Sequence, residues 1–245
     1  MKWPLLPAAA VLALASLPGQ AGPPLLEPSL KVQGGAHQQP HVALTLDACS
    51  GRTDQRIFAA LIANRIPATV FVTARWLRRN SATLKLMLDH PDLFQIENHG
   101  GRHVPAVDVP ATVYGIAAAG SPEAVTAEVK AGADAITAAT GHAPHWYRGA
   151  TGRYTSRALS EIAATGEAVA GYSLKADDGA ALPAPAVVRR LAKAKSGDVI
   201  IAHANHPEKP AGDGVVKGIL ALKARGFLFV KLGPTSRAAH PPHAS

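Results

Sequence analysis

Cysteine is nearly absent from this sequence, since Cys49 is the only one among 245 residues. A single thiol excludes an internal disulfide. Aromatic residues are also scarce, at 5%, and no dense run of Lys and Arg with interleaved aromatic residues accompanies the net charge of +8. We therefore predict that the chain binds no nucleic acid. The basic balance favours attraction to an anionic cell envelope or a glycan.

Long hydrophobic runs are missing too, apart from one near the N-terminus. An apolar stretch at residues 5–17 follows Lys2 and ends at Pro18, Gly19, Gln20 and Ala21. This layout is typical of a secretory signal peptide, and the stretch is short for a transmembrane helix. We predict a signal peptide over residues 1–21, an exported protein (periplasmic or secreted) and no membrane span after cleavage, with an uncleaved anchor as the alternative.

The rest of the chain has the composition of one folded domain, with 47% hydrophobic and 17% charged residues. A segment rich in Pro, Gly and Gln predicts a linker at residues 22–38. The folded domain is predicted at residues 39–233. The Pro-, Ala- and His-rich end, residues 234–245, predicts a flexible tail. The sequence gives no prediction of the oligomeric state.

Strand-like and helix-like segments alternate along the domain. Helical spacing is found at 53–64, with Thr53 as the expected N-cap, at 74–89 and at 122–140. Regular alternation predicts parallel strands with helices outside them, and therefore an α/β fold, a distorted and seven-stranded (β/α) barrel. The predicted strands lie at 41–46, 68–72, 93–97, 145–148, 168–173, 198–202 and 227–231.

Polar residues of catalytic type follow these strands, at the barrel end where catalytic groups gather. They fall in five short motifs: TLDAC at 45–49, HGGRH at 99–103, RGATG at 148–152, KADDG at 175–179 and IAH at 201–203. In order and context, the motifs resemble those of the polysaccharide deacetylases of carbohydrate esterase family 4, the NodB-homology domain. The resemblance extends over about residues 41–232.

The resemblance implies a role for each matching residue. Asp47 corresponds to the general base, and Arg148 to the residue that orients it. His203 corresponds to the general acid that protonates the leaving group. Asp178 is expected to tether Arg148 or to tune His203. The backbone N–H of Thr151 corresponds to the oxyanion donor.

The resemblance also implies a divalent metal, zinc first, with cobalt or nickel as alternatives, because imidazole ligands suit these ions. His99 and His103 correspond to two of its ligands. The family's carboxylate ligand, however, falls at Ala48, whose methyl group cannot coordinate. Another group, solvent alone or no metal are the options that remain.

Glu97 is the favoured replacement, because residues 97 and 99 point the same way on an extended strand. An ordinary salt bridge with Arg102 is the competing interpretation of Glu97. Cys49 is a further possible ligand, although a small buried thiol is its expected role. Gly179 stands where the family has a tryptophan, so Trp146 or Tyr172 is considered as a wall of the acetyl pocket, with core packing as the alternative for both.

The resulting hypothesis is hydrolysis of acetyl groups from an acetylated polysaccharide, by N-deacetylation of a peptidoglycan-, chitin- or exopolysaccharide-type polymer. Water activated by the metal would attack, with Asp47 as base and His203 as acid. Two alternatives stay open. One is an O-acetyl esterase on a xylan-type polymer, and the other is a catalytically inactive barrel that only binds glycan.

Overall fold

The computed structural model describes residues 24–33 and 39–233, together with the backbone of residues 237–239. The predicted signal peptide lies outside the described residues. The strands are β1 (Ser29–Lys31), β2 (His41–Ala48), β3 (Ala68–Val72), β4 (Phe94–Asn98), β5 (Thr112–Val113), β6 (Ile116–Ala117), β7 (Trp146–Tyr147), β8 (Ala168–Val169), β9 (Leu174–Lys175), β10 (Asp198–His203), β11 (Leu228–Val230) and β12 (Arg237–Ala239).

Seven α-helices accompany these strands in the described part of the chain, and none of them is long and apolar enough to cross a bilayer. Their apolar faces pack on the sheet, which places the main core between the sheet and the helices. The helices are α1 (Gln55–Ala63), α2 (Ala74–Leu77), α3 (Ser81–Leu88), α4 (Pro122–Thr140), α5 (Ser156–Ala164), α6 (Ala184–Leu191) and α7 (Ala211–Ala224).

The main sheet is curled and mostly parallel, and it confirms the predicted α/β class and the distorted barrel. Its parallel strands run in the order β10, β2, β3, β4, β7 and β8, with β11 paired to the first half of β2 and β9 paired to β10. All seven predicted strands are present, together with the short β9. Strand β2 is buried along nearly its whole length, which suits its continuous apolar sequence.

The predicted linker is corrected by the structure, because part of it belongs to the barrel. Strand β1 pairs antiparallel with β10, where Lys31 lies opposite Asp198. Leu30 is fully buried in the cluster that also contains Phe71 and Trp146. The predicted tail is corrected in the same way, since β12 pairs antiparallel with β1. Strand β1 therefore has a partner on each side, and β12 forms this edge of the sheet.

Two helix predictions differ from the structure in their bounds. The N-cap of α1 is Asp54, which accepts a hydrogen bond from the backbone N–H of Arg56, whereas Thr53 bonds to the Asn80 side chain. The predicted helix at 74–89 is split into α2 and α3. Asn80 leaves the helical conformation, and its side chain donates to the carbonyl of Trp76 instead. The predicted helix at 122–140 is confirmed, with Ser121 as its N-cap.

Candidate active site

A cavity of about 530 Å³ opens at the carboxyl end of the parallel strands. The register of the sheet brings two of the predicted residues together at this end, since Asp47 near the end of β2 pairs with His203 at the end of β10. Of the predicted site residues, six contribute to the lining: Asp47, His99, His103, Thr151, Asp178 and His203. Arg148 lies beneath Asp47, and Glu97 does not reach the cavity.

Asp47 is held by Arg148, as the resemblance implies. Nη1 of Arg148 donates to Oδ1 of Asp47 at 2.8 Å, and the guanidinium is completely buried. Nη1 also donates to the Thr45 hydroxyl at 2.8 Å, and Nε and Nη2 donate to the carbonyls of Ala170 and Gly171 at 3.1 Å each, so the guanidinium is fixed from behind. Burial is the largest single influence and would raise the pKa of Asp47, but the nearby positive charges, that of Arg148 first, and the Arg148 hydrogen bond together hold the pKa below its ordinary value. Asp47 is therefore a carboxylate at neutral pH.

His203 is held by Asp177, which is a correction to the predicted role of Asp178. Oδ1 of Asp177 lies 2.8 Å from Nδ1 of His203. Burial lowers the pKa of His203, yet the charge and hydrogen bond of Asp177 raise it above its ordinary value overall. Asp178 is exposed and binds Arg190 at 2.6 Å instead. Strand β9 ends at Lys175 and both carboxylates line the cavity, so strand alternation in the sequence does not separate Asp177 from Asp178.

His99 and His103 meet at the other side of the cavity, together with Cys49. One ligand atom from each of the three lies within 4.8 Å of the other two. Nδ1 of His99 bonds to the carbonyl oxygen of Arg148 at 2.5 Å. Burial lowers the pKa of His99, and burial is also the largest cause that lowers the pKa of His103 to about 3. Both imidazoles are neutral at pH 7, and neutral imidazole is the form that binds a metal.

The loop that carries His103 is fixed by a buried carboxylate on helix α4. Oε1 of Glu128 accepts hydrogen bonds from the backbone N–H groups of Arg102, at 2.8 Å, and Val104, at 3.1 Å. These two residues flank His103, whose backbone lies in the left-handed region with φ of 67°. Glu128 therefore stabilises an uncommon backbone conformation that presents the His103 ring to the cavity.

Glu97 does not replace the missing carboxylate ligand, contrary to the favoured prediction, and Arg102 does not pair with it. Its Oε2 accepts from the backbone N–H groups of His145 and Trp146, at 2.8 Å each, and its Oε1 accepts from Gln95 at 2.7 Å. Two residues of strand span about 7 Å, so Glu97 sits that far below His99. Its carboxylate satisfies amides at the amino-terminal end of β7.

The turn after Arg148 places Thr151 on the cavity wall. Its backbone also lies in the left-handed region, with φ of 70°. Tyr154 supports the turn by accepting a hydrogen bond from the backbone N–H of Gly149 at 2.8 Å. Of the two aromatic residues considered as pocket walls, Tyr172 lines the cavity, whereas Trp146 packs in the barrel interior.

Two further residues at the cavity, Tyr114 on its wall and Glu27 behind the wall, are not predicted from the sequence. Tyr114 is 71% exposed and projects from the β5–β6 hairpin, which no periodic pattern indicates. Glu27 acts from outside the wall and accepts hydrogen bonds from the Tyr172 hydroxyl, at 2.6 Å, and from Lys175, at 2.5 Å. Lys175 is itself part of the wall. Glu27 lies in the segment predicted as linker, so only the folded structure connects it to the site.

The family model for polysaccharide deacetylase matches residues 34–170, which is more than half of the chain. Among solved structures, the chain is similar to a family 4 carbohydrate esterase from Streptomyces lividans, with 21% identity, a TM-score of 0.66, and coverage of 82% of this chain and 98% of that one. It is also similar to a peptidoglycan deacetylase from Bacillus subtilis, with 21% identity, a TM-score of 0.64, and coverage of 80% and 89%.

A third similar structure is a carbohydrate esterase family 4 pseudoenzyme from Bacillus anthracis, with 18% identity and a TM-score of 0.65. The match covers 80% of this chain but only 64% of the pseudoenzyme, so the chain spans less than two thirds of that protein's length. No protein in the curated set matches significantly. At these identities, the solved structures establish the shared fold.

Proposed function

Because the chain belongs to the polysaccharide deacetylase family, we propose that it hydrolyses acetyl groups on an acetylated polysaccharide, as an N-deacetylase. One observation carries this proposal. A carboxylate, Asp47, and an imidazole, His203, occupy paired positions at the ends of two adjacent strands, and each has its own buried partner. A base and an acid in the same cavity, with opposite protonation preferences, suit hydrolysis of an amide.

A divalent metal fits the site beside this pair. His99 and His103 are neutral, and the centroids of their two rings lie 5.0 Å apart. These nitrogen donors suit zinc, with cobalt or nickel as alternatives. When bound there, such an ion would polarise the acetyl carbonyl and make a nearby water more acidic.

Asp47 acts as the general base in this proposal. It accepts a proton from the attacking water, whose oxygen forms the new bond to the acetyl carbon. Arg148 keeps the Asp47 carboxylate ionised and oriented. The carbonyl oxygen then carries negative charge, and the backbone N–H of Thr151 is proposed to donate a hydrogen bond to it.

His203 completes the reaction as general acid. Its Nδ1 bonds to Asp177, which leaves Nε2 for the substrate. Nε2 donates a proton to the leaving nitrogen as the carbon–nitrogen bond breaks, and the products are acetate and a free amine. The raised pKa of His203 favours the protonated imidazole, which is the form that a proton donor requires.

The shape of the cavity bears on the class of substrate. The cavity is broad, and Gly179 on its wall has no side chain that would narrow it. A sugar within a long chain can therefore reach the site. We propose a peptidoglycan-, chitin- or exopolysaccharide-type polymer. Export to the periplasm or the medium, directed by the signal peptide proposed for residues 1–21, would bring the protein to such polymers. Fractionation of cells that produce the full chain tests the location.

Acetate release tests the activity. The full chain is stripped of metal with a chelator, restored with zinc or cobalt, and assayed on N-acetylated and O-acetylated glycans, with Asp47→Asn as the inactive control. Release of acetate from N-acetylated polymer that returns with metal supports the proposal. Release from O-acetylated xylan alone would replace it with the esterase alternative.

The inactive alternative rests on Ala48, which supplies no carboxylate to a metal. A solved mutant of the Bacillus anthracis pseudoenzyme is described as having restored enzymatic activity. Glycan binding without acetate release, on every polymer and with every metal, would favour a binding role for the present chain.

A further inference from the structure

The cavity contains a sulfur donor where the family's carboxylate ligand is missing. We propose that Cys49 supplies the third protein ligand of the metal, so that the site is built from two imidazoles and one thiolate. This inference rests on the metal dependence in the proposed function, but it concerns the ligand set, which can be measured without any reaction.

Distances within the cluster support this assignment. A tetrahedral zinc ion with its usual bond lengths, about 2.3 Å to sulfur and about 2.0–2.1 Å to nitrogen, separates the two ligand atoms by about 3.5 Å. Sγ of Cys49 lies 3.4 Å from Nε2 of His99. The ligand atom of His103 falls within 4.8 Å of both. The cluster therefore needs only small side-chain movements to surround an ion.

The His99 ring is already oriented for this ligand set. The bond between its Nδ1 and the carbonyl of Arg148 requires the proton on Nδ1, because a carbonyl only accepts. The lone pair therefore lies on Nε2, the atom that faces Cys49. A backbone carbonyl that fixes the tautomer of a histidine ligand is a common feature around metal sites.

Other candidates for the third ligand are occupied or too far away. The carboxylate of Glu97 accepts three hydrogen bonds, two of them from amides at the amino-terminal end of β7. Ala48 has no donor atom and packs in the main core. Oδ1 of Asp47 is bound to Arg148, and its Oδ2 lies 3.8 Å from Nε2 of His99. Among the described residues, the only group of metal-ligand type that converges is Cys49, His99 and His103.

A thiolate ligand changes which ions the site prefers. Soft sulfur favours zinc or cobalt over magnesium, calcium or manganese, which prefer oxygen ligands. Binding requires the Cys49 thiol to lose its proton, which passes to the solvent as the metal–sulfur bond forms. The fourth position is left for solvent or substrate, as catalytic zinc sites require.

Cobalt titration of the full chain tests the assignment directly. Thiolate bound to cobalt gives an intense near-ultraviolet charge-transfer band, and Cys49 is the only cysteine in the chain. We expect this band at one cobalt per chain, its loss in Cys49→Ser, and zinc affinity lower by about tenfold or more in that variant. His142→Ala, at an exposed histidine outside the cluster, should retain the band. A bound cobalt without the band, or unchanged zinc affinity in Cys49→Ser, overturns the proposal.

A second measurement covers the case in which Cys49→Ser does not fold. An aromatic disulfide reagent forms a mixed disulfide with Cys49 in the native protein and releases one equivalent of aromatic thiolate. Saturating zinc should slow this release, whereas magnesium should not. An equal rate with and without bound zinc contradicts the assignment. If the band and the protection are observed but no acetate is released, the proposed function fails and the ligand assignment stands.

Discussion

Asp177 binds His203 at two points, accepting from its backbone N–H at 2.7 Å and lying 2.8 Å from its ring Nδ1. The two contacts fix both the main chain and the ring of His203. Asp177 is almost fully buried, whereas the His203 side chain is 16% exposed, toward the cavity. The carboxylate is thus a positioning group behind a histidine whose other nitrogen is free for substrate.

The first prediction concerns Asp177→Asn and the pH profile of acetate release. The charge of Asp177 helps to raise the pKa of His203, and an acid must be protonated to act. Removing that charge lowers the pKa, so the alkaline limb of kcat/KM should move to lower pH. Asp178→Asn is the matched control, because that carboxylate binds Arg190 rather than the His203 ring, and its alkaline limb should move much less. An unmoved limb in Asp177→Asn would contradict the role given to Asp177.

Substitution of Asp47 should lower activity, whereas substitution of Arg148 should lower the stability of the fold. Asp47→Asn removes the base, so kcat should fall by about a hundredfold or more while the fold is kept. Arg148→Met leaves the carboxylate buried without its partner, which typically costs about 3–5 kcal/mol of unfolding free energy. Urea unfolding measures this cost.

Arg65→Met supplies the control for this pair, because Arg65 forms an exposed ion pair with Asp92. That loss should cost only about 0–1 kcal/mol. In the double variant Asp47→Asn/Arg148→Met, the combined cost should be smaller than the sum of the single costs, since the two residues are in contact. Simple additivity would show that they are not coupled.

Glu128 should affect metal affinity without being a ligand, because its carboxylate holds the backbone on both sides of His103. Glu128→Ala frees the loop on both sides of His103, and we expect zinc affinity to fall by about 10–100-fold. Glu128→Gln should retain most of the affinity, because its amide oxygen can accept the same two hydrogen bonds. Competition with a chelator measures both variants. Glu123→Ala, at an exposed position on the same helix, should behave as the parent protein.

Glu167 should make stability depend on pH. Burial raises the pKa of this carboxyl, although the Asn98 side chain bonds to it, and the value is about 8. Between about pH 4.5 and about pH 8 the folded state therefore holds a proton that the unfolded state has lost, and the free energy of unfolding falls as pH rises. Glu167→Gln should remove roughly 1–4 kcal/mol of this decline in urea unfolding. Equal slopes in parent and variant would contradict the raised pKa.

The sequence predicted the parallel strands because their apolar segments are buried on both faces and read as continuous runs. It also located Asp47, His99, His103, Arg148 and His203. Residues that follow parallel strands lie at the same end of a barrel, and this does not depend on how the individual side chains pack. These predictions depend on order along the chain, which a single sequence contains.

What the sequence missed depends on side-chain direction and on distant contacts. Asp177 and Asp178 are neighbours, and the backbone of Asp178 lies in the left-handed region with φ of 48°, so their carboxylates diverge. Glu97 was assigned by strand alternation, which gives the side of a strand but not which partners the carboxylate finds. Cys49 approaches His99 only because β2 and β4 both border β3.

Leu30 offers a test of the segment that the sequence assigned to a linker. Its side chain is fully buried inside the barrel, so Leu30→Ala leaves a cavity there and should lower the free energy of unfolding by about 2–5 kcal/mol. Leu228→Ala is the matched control, because Leu228 is 45% exposed and its loss should cost about 0.5 kcal/mol or less. Urea unfolding of the two variants compares them directly. A cost for Leu30→Ala no larger than that of Leu228→Ala would mean that β1 is not part of the folding unit, because a strand that filled the barrel interior could not lose its only fully buried leucine without penalty.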